Sequence, residues 1–214
     1  MTDRKNITLL FDMDGVIIDS ETQYSGFWDE IGERVLGAKD FGAAIKGQTL
    51  IEIMGHNFPD DRQLKEAIVE ELYKFESQMD FDYIAGAREF LETVKEAGFS
   101  SAIVTSSNAP KMQHVLKRHP ELPSLVDMIL TSEHFSKSKP DPECFIKGIE
   151  MLGGRPDKTI VFEDSLYGIQ AGRGAGAYVI GLATTNIREK IAPLCDLTVD
   201  DFKGLDNLFS IFTR

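Results

Sequence analysis

Two aspartates, Asp12 and Asp14, stand one residue apart at the end of the apolar, β-branched run "ITLLFDMDG", with Gly15 directly after them. Like charges so close repel, and each loses hydration where a strand runs into a protein interior. Three more polar groups interrupt apolar runs further along: Thr105 at the end of "SAIVTS", Lys139 in "SKSKPDP", and Glu163 with Asp164 at the end of "TIVFED". Gathered into one cleft, these residue types suit phosphoryl transfer.

The carboxylates set the terms. Three or four of them cannot all stay ionised and unpaired in one cleft, and a divalent cation removes the conflict. An all-oxygen site favours Mg²⁺, which keeps several waters and shares its shell with a substrate phosphate. Asp12 is then the candidate nucleophile, because a carboxylate ionised at neutral pH attacks phosphorus without a base and yields an aspartyl-phosphate. Asp14 alternates away from Asp12 along a strand, but Gly15 permits a sharp turn that returns its side chain to the cleft. There it is the candidate acid for the leaving oxygen and base for the attacking water. Thr105 and Lys139 are the candidate holders of the phosphoryl oxygens. Lys137 is a rival to Lys139, which directly precedes Pro140. Ser106, Ser107 and Asn108 fit two roles equally, contacts to substrate or caps of a helix starting near Pro110.

Elements that place these residues together can be read from the hydrophobic pattern. Short, continuously apolar runs at 7–12, 101–106, 128–132, 159–164 and 177–182 predict strands buried on both faces of a parallel sheet. Helical patterns alternate with them; in "AREFLETVKEAG", Phe90, Leu91, Val94 and Ala97 share a face and Gly98 stops the helix. The predicted fold is α/β, a Rossmann-like open parallel sheet with helices on both sides, whose ligands bind at the carboxyl ends of the strands. Some ninety residues separate the first two runs, too many for one crossover helix. Within them Leu64, Ile68, Leu72, Phe75 and Met79 follow a helical stripe after "FPDDRQ", which offers a proline and aspartates as a helix start. A small α-helical domain at 20–83 is therefore expected inside a core made of 1–19 and 84–214, with Asp19 and Ser20 as hinge or cap.

Bulk properties narrow the function. The 214 residues carry a formal net charge of −12, which repels a phosphate backbone, so no nucleic-acid partner is expected. Cys144 and Cys195 form no CxxC pair, and His56, His114, His119 and His134 lack ligand spacing, which argues against zinc, haem and iron–sulfur chemistry. The apolar run before Asp12 is too short for a signal-peptide core and no stretch is long enough for a membrane span, so a cytoplasmic, membrane-free protein is expected. No heptad seam demands pairing, and a monomer is expected. The glycines of "AGRGAGA" precede a strand instead of following one, so they read as helix packing and a helix stop, not a nucleotide loop.

Phe11-Asp12-Met13-Asp14-Gly15, Thr105, Lys139-Pro140 and Glu163-Asp164 together resemble the four motifs of the haloacid dehalogenase superfamily, in their usual order and over essentially the whole chain. "KPDPECF" and "FEDSLYGIQAGRGAGA" resemble its β-phosphoglucomutase-like sugar phosphatase branch in particular. The resemblance implies that Asp12, the Asp14 main-chain carbonyl and Asp164 ligate Mg²⁺, with Glu163 a further ligand or a support to one. It also implies a helical cap that closes over the substrate and selects it. Dehalogenating members lack the second aspartate of the first motif, so Asp14 favours phosphate esters; a phosphonate-cleaving relative would need a cap lysine such as Lys39 or Lys46. Mutases of the branch carry a histidine shortly after the first motif and a cap arginine, where this chain has Tyr24 and Leu50, the latter after "KGQT". The expected activity is thus Mg²⁺-dependent hydrolysis of a small phosphorylated metabolite, sugar phosphates foremost, with β-phosphoglucomutase-type transfer as the alternative. Lys46, Gln48 and Tyr24 are the candidate substrate contacts on the cap. A phospho-accepting signalling domain also sets acids, a hydroxyl and a lysine at strand ends, but gains nothing from a lid or from Asp14.

Overall fold

The computed structural model describes residues 7–45, 48, 50–203 and 205. These fall into two compact units, divided after Asp19 and after Asp80, and each has its own core.

The larger unit is built on a sheet of six parallel strands among the described residues, in the order β3-β2-β1-β4-β5-β6. The strands are β1 (Thr8–Phe11), β2 (Ser100–Val104), β3 (Met128–Leu130), β4 (Thr159–Glu163), β5 (Tyr178–Leu182) and β6 (Leu197–Val199). The smaller unit supplies helices α1 (Glu21–Ile31), α2 (Phe41–Ala44), α3 (Leu50–His56) and α4 (Arg62–Glu76). Those of the sheet unit are α5 (Ala87–Glu96), α6 (Ala109–Arg118), α7 (Leu122–Leu125), α8 (Glu143–Met151), α9 (Leu166–Gly174) and α10 (Arg188–Ile191). The open parallel sheet expected from the apolar runs is present. β6 was not anticipated: it is a three-residue edge strand, half-buried throughout, so it lacks the apolar run that marks the others.

β1 is buried along its whole length because both faces are covered. Phe11 stacks on Phe162 at 4.6 Å and meets Phe90 of α5 edge-on at 6.2 Å, with Phe202 at 6.3 Å. Leu10 points the other way, into a cluster with Val104, Val161, Phe145 and Ile149 of α8, and Ile169 of α9. The register aligns Phe11 with Ile103 of β2 and Phe162 of β4. Asp12 is therefore level with Val104 and Glu163, and its N–H continues the ladder to the Phe162 carbonyl at 3.0 Å. Burial thus fixes the height at which the functional groups emerge.

The smaller unit packs Trp28, Ile31, Phe41, Ile53, Ile68 and Leu72 together. Asp61 caps α4 by accepting the Leu64 N–H at 3.1 Å, as the sequence around it suggests. The predicted α4 stripe runs one turn too far. Met79 is buried but lies beyond the helix end at Glu76, in turns where Gln78 N–H reaches Phe75 O and Met79 N–H reaches Glu76 O. The second division between the units falls after Asp80, not after residue 83, because Tyr83 pairs antiparallel with Ile18 in the sheet unit.

Candidate active site

The carboxyl ends of β1, β2 and β4 carry the site, all of it within the sheet unit. Lys139 is its centre. Its ammonium donates to Asp12 Oδ1 at 2.5 Å, to Glu163 Oε1 at 2.7 Å and to the Val104 carbonyl at 3.4 Å. Its charge also lies over the Phe145 ring, 4.7 Å from the ring centre, a cation–π contact. The Lys139 side chain is only 7% exposed. Lys137, the rival in sequence, faces solvent and pairs with Asp141 at 3.2 Å.

Glu163 is committed on both oxygens. Beyond the Lys139 contact, Oε2 accepts the N–H groups of Asp164 at 2.9 Å and Ser165 at 3.0 Å, and the Ser165 hydroxyl at 3.0 Å. Gly168 on the first turn of α9 makes room for it, since a Cβ there would fall on the Glu163 carboxylate. The arrangement makes Glu163 a support that holds Lys139 and the β4–α9 turn.

Asp14 reaches the same end of the sheet by the turn anticipated at Gly15, whose φ is +75°. A Cβ on Gly15 would collide with the Asp164 carboxylate, so the turn is both left-handed and pressed against the acidic pair. The Gly15 carbonyl accepts from Thr184 and its N–H reaches Ile18 O at 2.8 Å, which pins the loop. Both oxygens of Asp14 are engaged from the start of α6: Ser107 Oγ donates to Oδ2 at 2.7 Å and Lys111 Nζ to Oδ1 at 2.6 Å.

Thr105 is buried just past β2, where its N–H extends the ladder to Leu130 O at 2.9 Å. Its Oγ1 accepts the Ser107 N–H at 3.0 Å and keeps its own proton to donate. Asn108 resolves toward capping: its side-chain oxygen accepts the Lys111 N–H at 3.0 Å at the start of α6. Ser106 is exposed. In the helical unit, Tyr24 donates its hydroxyl to Glu76 at 2.7 Å, and Gln48 Oε1 lies 3.5 Å from Asn57 Nδ2. Lys46 lies outside the described residues.

The acidic groups of the site are close together. Asp12, Glu163 and Asp164 are all buried, with ligand oxygens within 4.8 Å of one another. Burial, opposed by Lys139 and reinforced by Glu163 and Asp14, pushes the Asp12 carboxyl well above the ordinary aspartate range. Burial also works against the Lys139 ammonium, but Asp12 and Glu163 together outweigh it and hold its pKa above the usual lysine value. Burial is the main cause at Asp12, and the neighbouring carboxylates add to it there while they raise Lys139. A hard divalent cation fits this donor set, oxygen only and compact.

Lys111 is the residue that sequence reading missed. It lies 97 positions from Asp14 and reads as an ordinary first-turn residue of an amphipathic helix. Its only local signal is a lysine that burial covers to 7% exposure, visible once the fold is known.

Comparison with known proteins places this geometry. Residues 9–182 match the family model for haloacid dehalogenase-like hydrolases. A fructose-1-phosphate phosphatase of Escherichia coli K12 is 31% identical over 187 residues, covering 78% of this chain and 92% of that protein. A β-phosphoglucomutase of Mycobacterium bovis is 28% identical over 239 residues, covering 92% and 90%. A solved hydrolase from Pseudomonas syringae shares the fold with a TM-score of 0.79 at 22% identity, covering 97% of this chain and 100% of that one. The chain belongs to the haloacid dehalogenase-like hydrolase family, as its four motifs suggested, and is an enzyme of the phosphoric monoester hydrolase kind.

Proposed function

We propose that this enzyme hydrolyses small phosphorylated sugars in a Mg²⁺-dependent, two-step transfer through a phosphoryl group on Asp12. The observation that carries the reading is the Asp12 carboxylate itself, buried at the end of β1, oriented by Lys139 and clustered with Asp164 and Glu163. Asp12, Asp164 and the Asp14 carbonyl would hold the cation, which when bound would neutralise charge on the phosphoryl oxygens.

In the first step an Asp12 oxygen bonds to phosphorus while the bond from phosphorus to the leaving oxygen breaks. The proton on the Asp14 carboxyl passes to that oxygen, so the sugar leaves as a neutral alcohol. Water then attacks phosphorus, Asp14 takes its proton back, and the bond to Asp12 breaks to release phosphate. Lys139 and the Thr105 hydroxyl hold phosphoryl oxygens as charge redistributes. Glu163 keeps Lys139 in place.

Sugar phosphates lead the substrate classes because the Escherichia coli relative is named for one. The Ser20–Asp80 unit is read as the selective cap, with Gln48 a contact to substrate. The Tyr24 hydroxyl is already donated to Glu76, so its contribution there is its ring. The mycobacterial relative keeps transfer back to a sugar as the second reading. Tyr24 and Leu50, where mutases of the branch place histidine and arginine, favour water as the acceptor. Phosphate release from a panel of hexose phosphates, nucleotides and pyrophosphate, with and without Mg²⁺, tests the proposal. Multiple Mg²⁺-dependent turnovers with sugar phosphates ranked first are expected. Conversion of β-glucose 1-phosphate to the 6-phosphate with a bisphosphate primer, without net release, would replace it by the mutase reading.

A further inference from the structure

Asp14 is bound on both oxygens from one stretch of chain, the entry to α6. Lys111 covers one oxygen and Ser107 the other, and the Lys111 and Asp14 side chains are only 9% and 19% exposed. Lys139 pairs with Asp12 and Lys111 with Asp14, so each of the two carboxylates has a lysine on it. Ser107 is fixed in turn by its N–H on Thr105 Oγ1, and the Lys111 backbone by the Asn108 cap.

Resting on the two-step hydrolysis above, we infer that Lys111, with Ser107, is a positioning residue for proton transfer: it sets the Asp14 carboxyl group at the leaving oxygen. An acid on a turn has two side-chain torsions free, and a proton donor acts efficiently only when held within hydrogen-bond reach of its target. Two contacts on two oxygens remove that freedom. The pair also explains why a lysine is buried at the edge of a site that already has one.

Leaving groups separate this role from a merely structural one. A sugar alkoxide needs a proton as it departs, whereas p-nitrophenolate leaves without one. The ratio kcat/KM covers the steps up to that departure, so hydrolysis of the phosphoryl-enzyme, common to both substrates, cancels. We would compare wild type and Lys111→Met on p-nitrophenyl phosphate and on the best hexose phosphate of the panel. The expected fall in kcat/KM is about 100-fold with the hexose phosphate and about tenfold or less with p-nitrophenyl phosphate. Equal losses on the two substrates would overturn the inference and leave the phosphatase reading standing. A wild type inert on both would instead sink the phosphatase reading and the inference with it. Should Lys111→Met fail to fold, Ser107→Ala carries the same comparison, with the same two outcomes.

Discussion

Asp12 and Lys139 form a buried ion pair that would be a poor way to stabilise a protein, because desolvating both charges offsets most of their attraction. Its value is in presenting a carboxylate at a fixed height and angle. Removing one partner should expose that bargain. Lys139→Met leaves Asp12 and Glu163 facing each other without a cation, at an expected loss of about 3–5 kcal/mol in urea denaturation without added metal. Mg²⁺ should recover part of that loss, and a variant as stable as wild type without metal would contradict the description of the cluster. Since burial raises the Asp12 carboxyl, a proton competes with the cation there as pH falls. Apparent Mg²⁺ affinity, by titration calorimetry, should weaken from pH 8 to pH 6; a flat profile would mean that Asp12 is not a ligand. Asp12 and Thr105 were legible as polar residues at the ends of apolar runs, and Lys139 through the motif that Lys139-Pro140 resembles. The Lys111–Asp14 contact was not, because nothing local relates two residues 97 positions apart. The Tyr24–Glu76 bond escaped for the same reason, at a separation of 52.

At the scale of elements, the site depends on two turns that tolerate no side chain. Gly168 lets α9 start directly over Glu163, and a methyl there must displace the carboxylate that holds Lys139. Gly168→Ala should cost about 1–3 kcal/mol in thermal or urea denaturation and lower kcat more than KM. Unchanged activity and stability would show that Glu163 has room to move. The strands around these turns were readable because their period is that of sheets buried on both faces, continuous and apolar. Edges and ends were less so. β6 is half-buried and carries no such run, and α4 stops at Glu76 while its apolar pattern continues to Met79. Pattern records what is buried; hydrogen bonding decides where a helix ends.

For the whole molecule, the chain divides after Asp19 and Asp80, and the ends of the sheet unit at that division are tied to each other. Asp19 N–H reaches Asp82 O at 2.8 Å, and Ile84 N–H reaches Ile17 O at 2.9 Å. Replacing Ser20–Asp80 with a short glycine-serine linker should therefore leave the sheet unit folded, by circular dichroism and a cooperative melt. It should also flatten the ranking among sugar phosphates; a ranking that survives the excision would remove the Ser20–Asp80 unit from substrate selection. All the acid, hydroxyl and lysine groups assigned to the chemistry lie in the sheet unit.

The most direct test of the central claim is rapid acid quenching of the enzyme during turnover of a hexose phosphate with Mg²⁺, followed by mass spectrometry of its peptides. The account predicts one phosphoryl group on Asp12, appearing and discharging as phosphate is released and absent from Asp12→Asn. Steady phosphate release with Asp12 never phosphorylated, or a stable phosphoryl-Asp12 without turnover, would contradict it.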